Sequence, residues 1–230
     1  MKTVFYVLTM FVFSLTLNAL DFSKESLLQN ACDKGDGASC LNLGAMYHSG
    51  NGVRQNFAKA KELYVQSCNS GVGEGCSHLA FMYANGHIGQ NYRKAAEYYK
   101  KACDLGDAKG CASLAILYEN GQGVSEDMEQ VVDYYDKACD GNDGLSCAHL
   151  GLMYENDENY IYAAIYYQKA CDAGQAAECS LLGMMYYVGQ GVSQNEQKAA
   201  ASFKKACDLG DDSGCKNYEI LKNNTWIEGK

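Results

Sequence analysis

The residues best equipped for chemistry are the twelve cysteines, and all of them fall into pairs of one spacing. Cys32/Cys40, Cys68/Cys76, Cys103/Cys111, Cys139/Cys147, Cys171/Cys179 and Cys207/Cys215 each enclose seven residues. Thiolates can bind a soft metal, exchange disulfides or form structural cross-links. Zinc sites favour much shorter paired spacings and usually recruit histidine. Uniformly paired cysteines behind an export leader point instead to disulfides in an oxidising compartment. Twelve cysteines can pair in roughly ten thousand ways, and the repeated spacing makes the local pairing the simplest.

Other chemistry is sparse. A serine nucleophile with a lysine three residues on is the box of serine β-lactamases. It occurs as Ser202-Phe203-Lys204-Lys205 and Ser213-Gly214-Cys215-Lys216, which makes Ser202 with Lys205 and Ser213 with Lys216 the candidate catalytic pairs. The companion K-T-G and S-D-N boxes do not occur. Tyr83-Ala84-Asn85, Tyr118-Glu119-Asn120 and Tyr154-Glu155-Asn156 imitate a Y-x-N box but fall on a tyrosine column that recurs along the chain. His48, His78, His87 and His149 are scattered over three repeats, which predicts surface histidines; no metal and no cofactor are expected.

The elements that carry these residues follow from the period. Successive pairs begin 36, 35, 36, 32 and 36 residues apart, the mark of a helical repeat array. Apolar or small residues three, four and seven positions after each second cysteine (Leu43, Gly44 and Tyr47; Leu150, Gly151 and Tyr154) form one stripe of a helix, here called A. Its glycine or alanine column lets a neighbouring helix approach. A glycine-bearing loop such as Gly189-Gln190-Gly191-Val192 leads to a second helix, B. There a small residue precedes an aromatic by four: Ala60 and Tyr64, Ala95 and Tyr99, Val131 and Tyr135, Ala163 and Tyr167, Ala199 and Phe203. Gly35, Gly71, Gly106, Asn142, Gly174 and Gly210, three after the first cysteine, are placed to end helix B in a left-handed conformation. The cysteine pair therefore brackets an antiparallel corner, where a disulfide is geometrically easy. The second unit is one residue short at Gly86-His87-Ile88-Gly89, and the fourth lacks the glycine pair between Tyr154 and Tyr160.

Met1-Lys2-Thr3 followed by an apolar run to Leu17 has the form of a secretory leader cut after Ala19, too short for a stable membrane anchor. Loss of Lys2 takes the formal charge from −9 to −10. Such acidity disfavours nucleic acid as a partner. The expected division is a leader over 1–19, a half-repeat cap over 20–37, repeats over 38–73, 74–107, 108–143, 144–175 and 176–211, and a capping helix with tail over 212–230.

The columns A-x-x-C-x-x-L-G-x-x-Y-x-x-G-x-G-V and K-A-x-x-Y-Y-x-K-A-C-D-x-G-D resemble the Sel-one-like repeat, a relative of the tetratricopeptide repeat. The eight-position cysteine spacing behind a leader resembles the Helicobacter cysteine-rich protein family in particular. The resemblance implies a secreted or periplasmic all-α protein, a right-handed α/α superhelix or solenoid with one disulfide per repeat. It also implies either a bacterial factor acting on host proteins, or a penicillin-binding protein or β-lactamase with a β-lactam or cell-wall peptide as ligand. With cysteines, glycines and tyrosines explained by the scaffold, recognition falls to the columns the repeat leaves free. These are Asn42; His78, Phe81 and Asn85; Ser113, Ile116 and Asn120; His149, Leu152 and Asn156; and Met184, on helices expected to line the concave face of a tetratricopeptide-like array. Amides beside apolar pockets suit an extended protein or peptide segment.

Overall fold

Each half-repeat carries a small-residue or aromatic stripe of helical period and no proline, so nothing interrupts a helix of about three turns. The structure is a computed structural model that describes residues 24–228; the expected leader and residues 229–230 lie outside the described residues. Among the described residues every regular element is an α-helix: α1 (24–33), α2 (Gly37–Ser49), α3 (Phe57–Asn69), α4 (Gly73–Ala84), α5 (Tyr92–Asp104), α6 (Ala108–Glu119), α7 (Met128–Asp140), α8 (Gly144–Asn156), α9 (Tyr160–Asp172), α10 (Ala176–Val188), α11 (Glu196–Asp208) and α12 (Asp212–Glu228). Even-numbered helices are A and odd-numbered are B. Contacts divide the described residues into two compact units: 24–110 with the loop 121–125, and 111–120 with 126–228. Within each unit consecutive helices pack as pairs, α2 on α3 and α4 on α5 in the first, α8 on α9 and α10 on α11 in the second.

The corner between B and A is one motif used six times. At the first, the Gly35 amide donates to the Cys32 carbonyl at 2.8 Å and the Asp36 amide to the Ala31 carbonyl at 3.1 Å. These two bonds define a Schellman cap, with the left-handed residue at C′. The same pair recurs through Gly71, Gly106, Asn142, Gly174 and Gly210, all at positive φ; Asn142, at φ 66°, is the one non-glycine. The residue after the left-handed one then opens the next helix. Asp36 accepts from the Ala38 amide, Asp143 from Ser146 and Asp211 from Gly214. Hydrogen bonds, first from the Ser180 hydroxyl and then from the Gly214 and Ser213 amides, hold the Asp211 carboxyl below the usual range. A three-residue turn thus caps two helices at once.

The flanking cysteines are bonded as their spacing suggested. Cα–Cα distances are 4.7 Å for Cys32–Cys40, Cys68–Cys76 and Cys171–Cys179, 4.8 Å for Cys139–Cys147 and 4.4 Å for Cys207–Cys215. Cys103 and Cys111 are likewise disulfide-bonded, and no cysteine is free among the described residues. The chain-entropy model assigns each such short loop about 2.5 kcal/mol.

Between the corners, small residues of A meet rings of B. A methyl group placed on Gly44, Gly151 or Gly183 would lie 2.7 Å from Tyr64, 2.5 Å from Tyr167 or 2.7 Å from Phe203. The buried stripe of A is wider than the sequence suggested, because Met46, Met82, Leu117 and Met185, six positions after the cysteine, are buried too. Helices α4, α8 and α10 each pack against both their own B helix and the preceding one, and two neighbours demand a broader apolar face. The A-to-B loops lock onto the preceding repeat through their second glycine. A methyl group on Gly123 would fall 2.3 Å from the Tyr92 carbonyl carbon, and one on Gly191 would fall 2.1 Å from the Tyr160 carbonyl oxygen. In the fourth repeat, which lacks this loop, Glu158 supplies the left-handed residue at φ 57°.

Lysine and aspartate columns tie adjacent B helices together. Lys101 bonds Asn69 at 3.2 Å, Lys169 bonds Asp140 at 2.8 Å and Lys205 bonds Asp172 at 2.6 Å. These exposed rungs are worth at most about 1 kcal/mol each, and they account for the K-A-C-D sequence around the first cysteine.

Two glycines of positive φ should respond differently to substitution. A methyl group placed on Gly174 would have nothing within 4 Å, and Asn142 fills the equivalent place, so Gly174→Asn should cost about 1 kcal/mol or less. Gly191→Ala adds a clash with Tyr160 backbone to the left-handed strain and should cost about 2 kcal/mol or more. Denaturant unfolding of the two variants measures the difference.

Candidate functional site

The columns left free by packing lie on the A helices. Five residues after the second cysteine, Phe81, Ile116, Leu152 and Met184 are 42%, 45%, 49% and 45% exposed, while their neighbours three and four residues after it are buried. The periodicity that buries Leu79, Leu114, Leu150 and Leu182 turns these four large apolar side chains to solvent. Asn42, Asn85, Asn120 and Asn156 are exposed beside them.

The asparagines are partly committed to their own helices. The Asn85 amide donates to the Phe81 carbonyl at 3.0 Å and that of Asn120 to the Ile116 carbonyl at 2.8 Å, closing the ends of α4 and α6. Each keeps a second N–H and a carbonyl for another partner. Ser113 is half-buried, as are His78 and His149, whose rings contact tyrosines of the B helix before them, His78 stacked and His149 tilted. His78 lies 5.0 Å from the Tyr64 ring at 12°, and His149 lies 4.5 Å from the Tyr135 ring.

A column that the sequence pattern does not single out lies eight residues after the cysteine and faces the hydroxyls of the B-helix tyrosines. Glu119 accepts from Tyr135 at 3.3 Å and lies 3.3 Å from His149 Nε2; Glu155 accepts from Tyr167. Burial, reinforced by these carboxylates, drives both hydroxyls well above the usual tyrosine range. In the first repeat the column holds His48, and the Tyr64 hydroxyl has no hydrogen-bond partner among the described residues. Burial, with a smaller push from Glu74, raises Tyr64 to about 12. In the fifth repeat the ring is Phe203 and needs no acceptor. Glutamate after the repeated tyrosine in the third and fourth repeats is the available sequence signal.

The sequence predicts scattered surface histidines, but the short second loop brings His48 and His87 together. His48 Nε2 lies 3.1 Å from His87 Nδ1, with Phe57 stacked on His87 at 4.8 Å and Phe81 edge-on to both rings. Burial, then His87 and His78, hold His48 below the usual imidazole range. Among the described residues no three His, Cys, Asp or Glu side chains are grouped to hold a metal ion.

The two serine–lysine pairs have different surroundings. Ser202 and Lys205 line one cavity of about 310 Å³ with Gln168, Asp172, Tyr186 and Lys198. The Lys205 ammonium is engaged in the Asp172 rung, and that bond is the first of the interactions that lower the Asp172 carboxyl. Ser213 and Lys216 lie on the first turn and a half of α12, where the Ser213 amide donates to Asp211 at 3.3 Å. No described helix is long and apolar enough to cross a membrane.

Paired helices of near-constant length, joined by identical corners, define a tandem helix-turn-helix repeat protein of the kind that generally binds other proteins. The chain belongs to the Sel1 repeat family: the Sel1 repeat matches at residues 37–72, 73–107, 108–143, 144–175 and 179–211. No curated protein matches it. Among solved structures, a Sel1 repeat protein from Oxalobacter formigenes is similar with a TM-score of 0.70 at 22% identity, over 88% of this chain and 87% of that one. The uropathogenic Escherichia coli protective antigen c5321 is similar with a TM-score of 0.65 at 24% identity; 91% of this chain is covered, and the chain spans only 57% of that protein. Helicobacter pylori cysteine rich protein B is 31% identical over 73% of this chain and 98% of that one, with a TM-score of 0.26.

Two measurements check these environments. Tyr64→Phe removes an unpartnered buried hydroxyl and should leave stability unchanged or raise it by about 1 kcal/mol, whereas Tyr167→Phe strands Glu155 and should cost about 1–2 kcal/mol in denaturant unfolding. Because the His48 pKa is lowered in the fold, its contribution is complete above the ordinary imidazole value near 6.5 and declines as pH falls below it. The thermal midpoint should therefore drop between pH 7.5 and pH 5 by more in the native protein than in His48→Gln.

Proposed function

We propose that this chain is a disulfide-rich scaffold, secreted or periplasmic, that recognises protein or peptide partners through the exposed columns of its A helices. One observation carries the reading: the same position of four consecutive A helices presents Phe81, Ile116, Leu152 and Met184 to solvent, although the residue before each is buried. Within the second unit Ile116, Leu152 and Met184 can supply pockets, and the remaining amide capacity of Asn120 and Asn156 can meet the backbone of an extended segment. Stable cross-linking of every cysteine supports an oxidising compartment. A β-lactam-hydrolysing role for Ser202 draws no support from its lysine, because the Lys205 ammonium held by Asp172 has no lone pair to take the serine proton.

The test is capture of partners from periplasmic and host-cell extracts by the immobilised mature chain, alongside Leu152→Glu/Met184→Glu. Both positions are exposed, so circular dichroism should be unchanged, and a genuine A-face partner should be lost from the variant. An identical partner set would remove this face from consideration.

A further inference from the structure

One B helix differs from its siblings on its outward side. Counting from the N-cap, the second, third and sixth residues are Arg93, Lys94 and Glu97 in α5 and Glu129, Gln130 and Asp133 in α7. In α9 the same places hold Ile161, Tyr162 and Ile165, exposed by 62%, 49% and 47%. Packing does not require the change. In α3, α5 and α11 the third residue is a lysine that covers the A-helix tyrosine, Lys59 over Tyr47 at 4.2 Å, Lys94 over Tyr83 at 5.3 Å and Lys198 over Tyr186 at 5.2 Å. In α9 the Tyr162 ring covers Tyr154 at 5.1 Å and does that work while adding apolar surface. Ile161 and Ile165 are four apart and form one ridge. The fourth repeat is also the one that lacks the long A-to-B loop, so only residues 157–159 connect α8 and α9 beside this ridge.

The rim is acidic. Asp157 and Glu158 are exposed in the turn at the start of α9. On α7, tied to α9 by the Tyr166–Asp136 hydrogen bond at 2.8 Å, Glu129 occupies the place equivalent to Ile161, while Asp133, equivalent to Ile165, is paired with Lys137 at 2.6 Å. Lys198 of α11 is turned onto the Tyr186 ring, and Lys169 of α9 is engaged with Asp140 at 2.8 Å.

We propose that the outward face of α9 is a second docking surface, distinct from the A-helix face, and that its occupant is a cationic amphipathic helix of a partner protein. A helical ridge with i, i+4 spacing accepts the groove of another helix. The carboxylates around it, on a chain of net charge −9, select lysine and arginine at the partner's flanks and oppose a second copy of this acidic chain or an anionic membrane.

The probe is a labelled synthetic helix of about 18 residues, or five turns, with leucine on one face and lysine on the other; its counterpart carries glutamate in place of lysine. Fluorescence anisotropy with the full mature chain should show saturable binding of the leucine–lysine peptide and at least about tenfold weaker binding of the leucine–glutamate one. Ile161→Glu/Ile165→Asp installs the residues that α7 already carries, so folding should be intact by circular dichroism, and affinity should fall at least about tenfold. That variant adds two carboxylates, so unchanged or tighter binding would mean charge attraction alone and overturn the proposal. Leu152→Glu/Met184→Glu should leave the peptide's affinity as it is; loss only in that variant would move the site to the A-helix face and also overturn it. So would a native dimer in sedimentation that Ile161→Glu/Ile165→Asp converts to monomer, since the occupant would then be a second copy.

Discussion

Everything in this protein hangs on a turn of three residues. A B helix ends, one residue takes the left-handed conformation, and the next residue is already the cap of an A helix. Backbone groups that two helix ends leave unpaired are satisfied within a handful of atoms, and a largely buried disulfide closes the corner. The backbone hydrogen bonds of the turn repeat each time, although Val72 and Gln175 lack the side-chain cap that Asp36 and Asp143 supply. Long-range packing then has only to place a small residue of one helix against a ring of the next.

The corner was the most legible part of the sequence because it is built from residues with few conformational substitutes. Cysteine pairs, glycine at a left-handed position and the single asparagine exception at Asn142 can be read without knowing what lies nearby. The aromatic column of helix B was legible for a similar reason, since Ala163 and Tyr167 declare both a size and a face. What escaped depends on distances between repeats. Met82 and Met185 are buried because an A helix has two helical neighbours, a fact about stacking that one stripe does not encode. The pairing of Glu119 with Tyr135, and of His48 with His87, crosses between elements whose separation is set by loop length. Loss of one residue from the second loop was visible, but its effect on His87 was not.

The candidate surfaces were legible in unequal measure. The offsets of Phe81, Ile116, Leu152 and Met184 put them off the core stripe without separating exposure from packing between repeats, and the structure exposes them. The chemistry of the asparagines could not be read in this way, since Asn85 and Asn120 share their amides with the ends of their own helices. Repetition provides an internal reference: departures such as Ile161 and Ile165 stand out only against the charged, polar or small residues of sibling helices.

The separation of eight residues between bonded cysteines bears on how the chain acquires its covalent structure. Each thiol finds its partner within one hairpin corner, so oxidation needs no encounter between distant parts of the chain and the cost of loop closure is small. Oxidation can therefore run along the chain in order, each corner sealed independently of the next. The correct pairing is then also the kinetically nearest one, which removes most of the wrong combinations before an isomerase has to correct them.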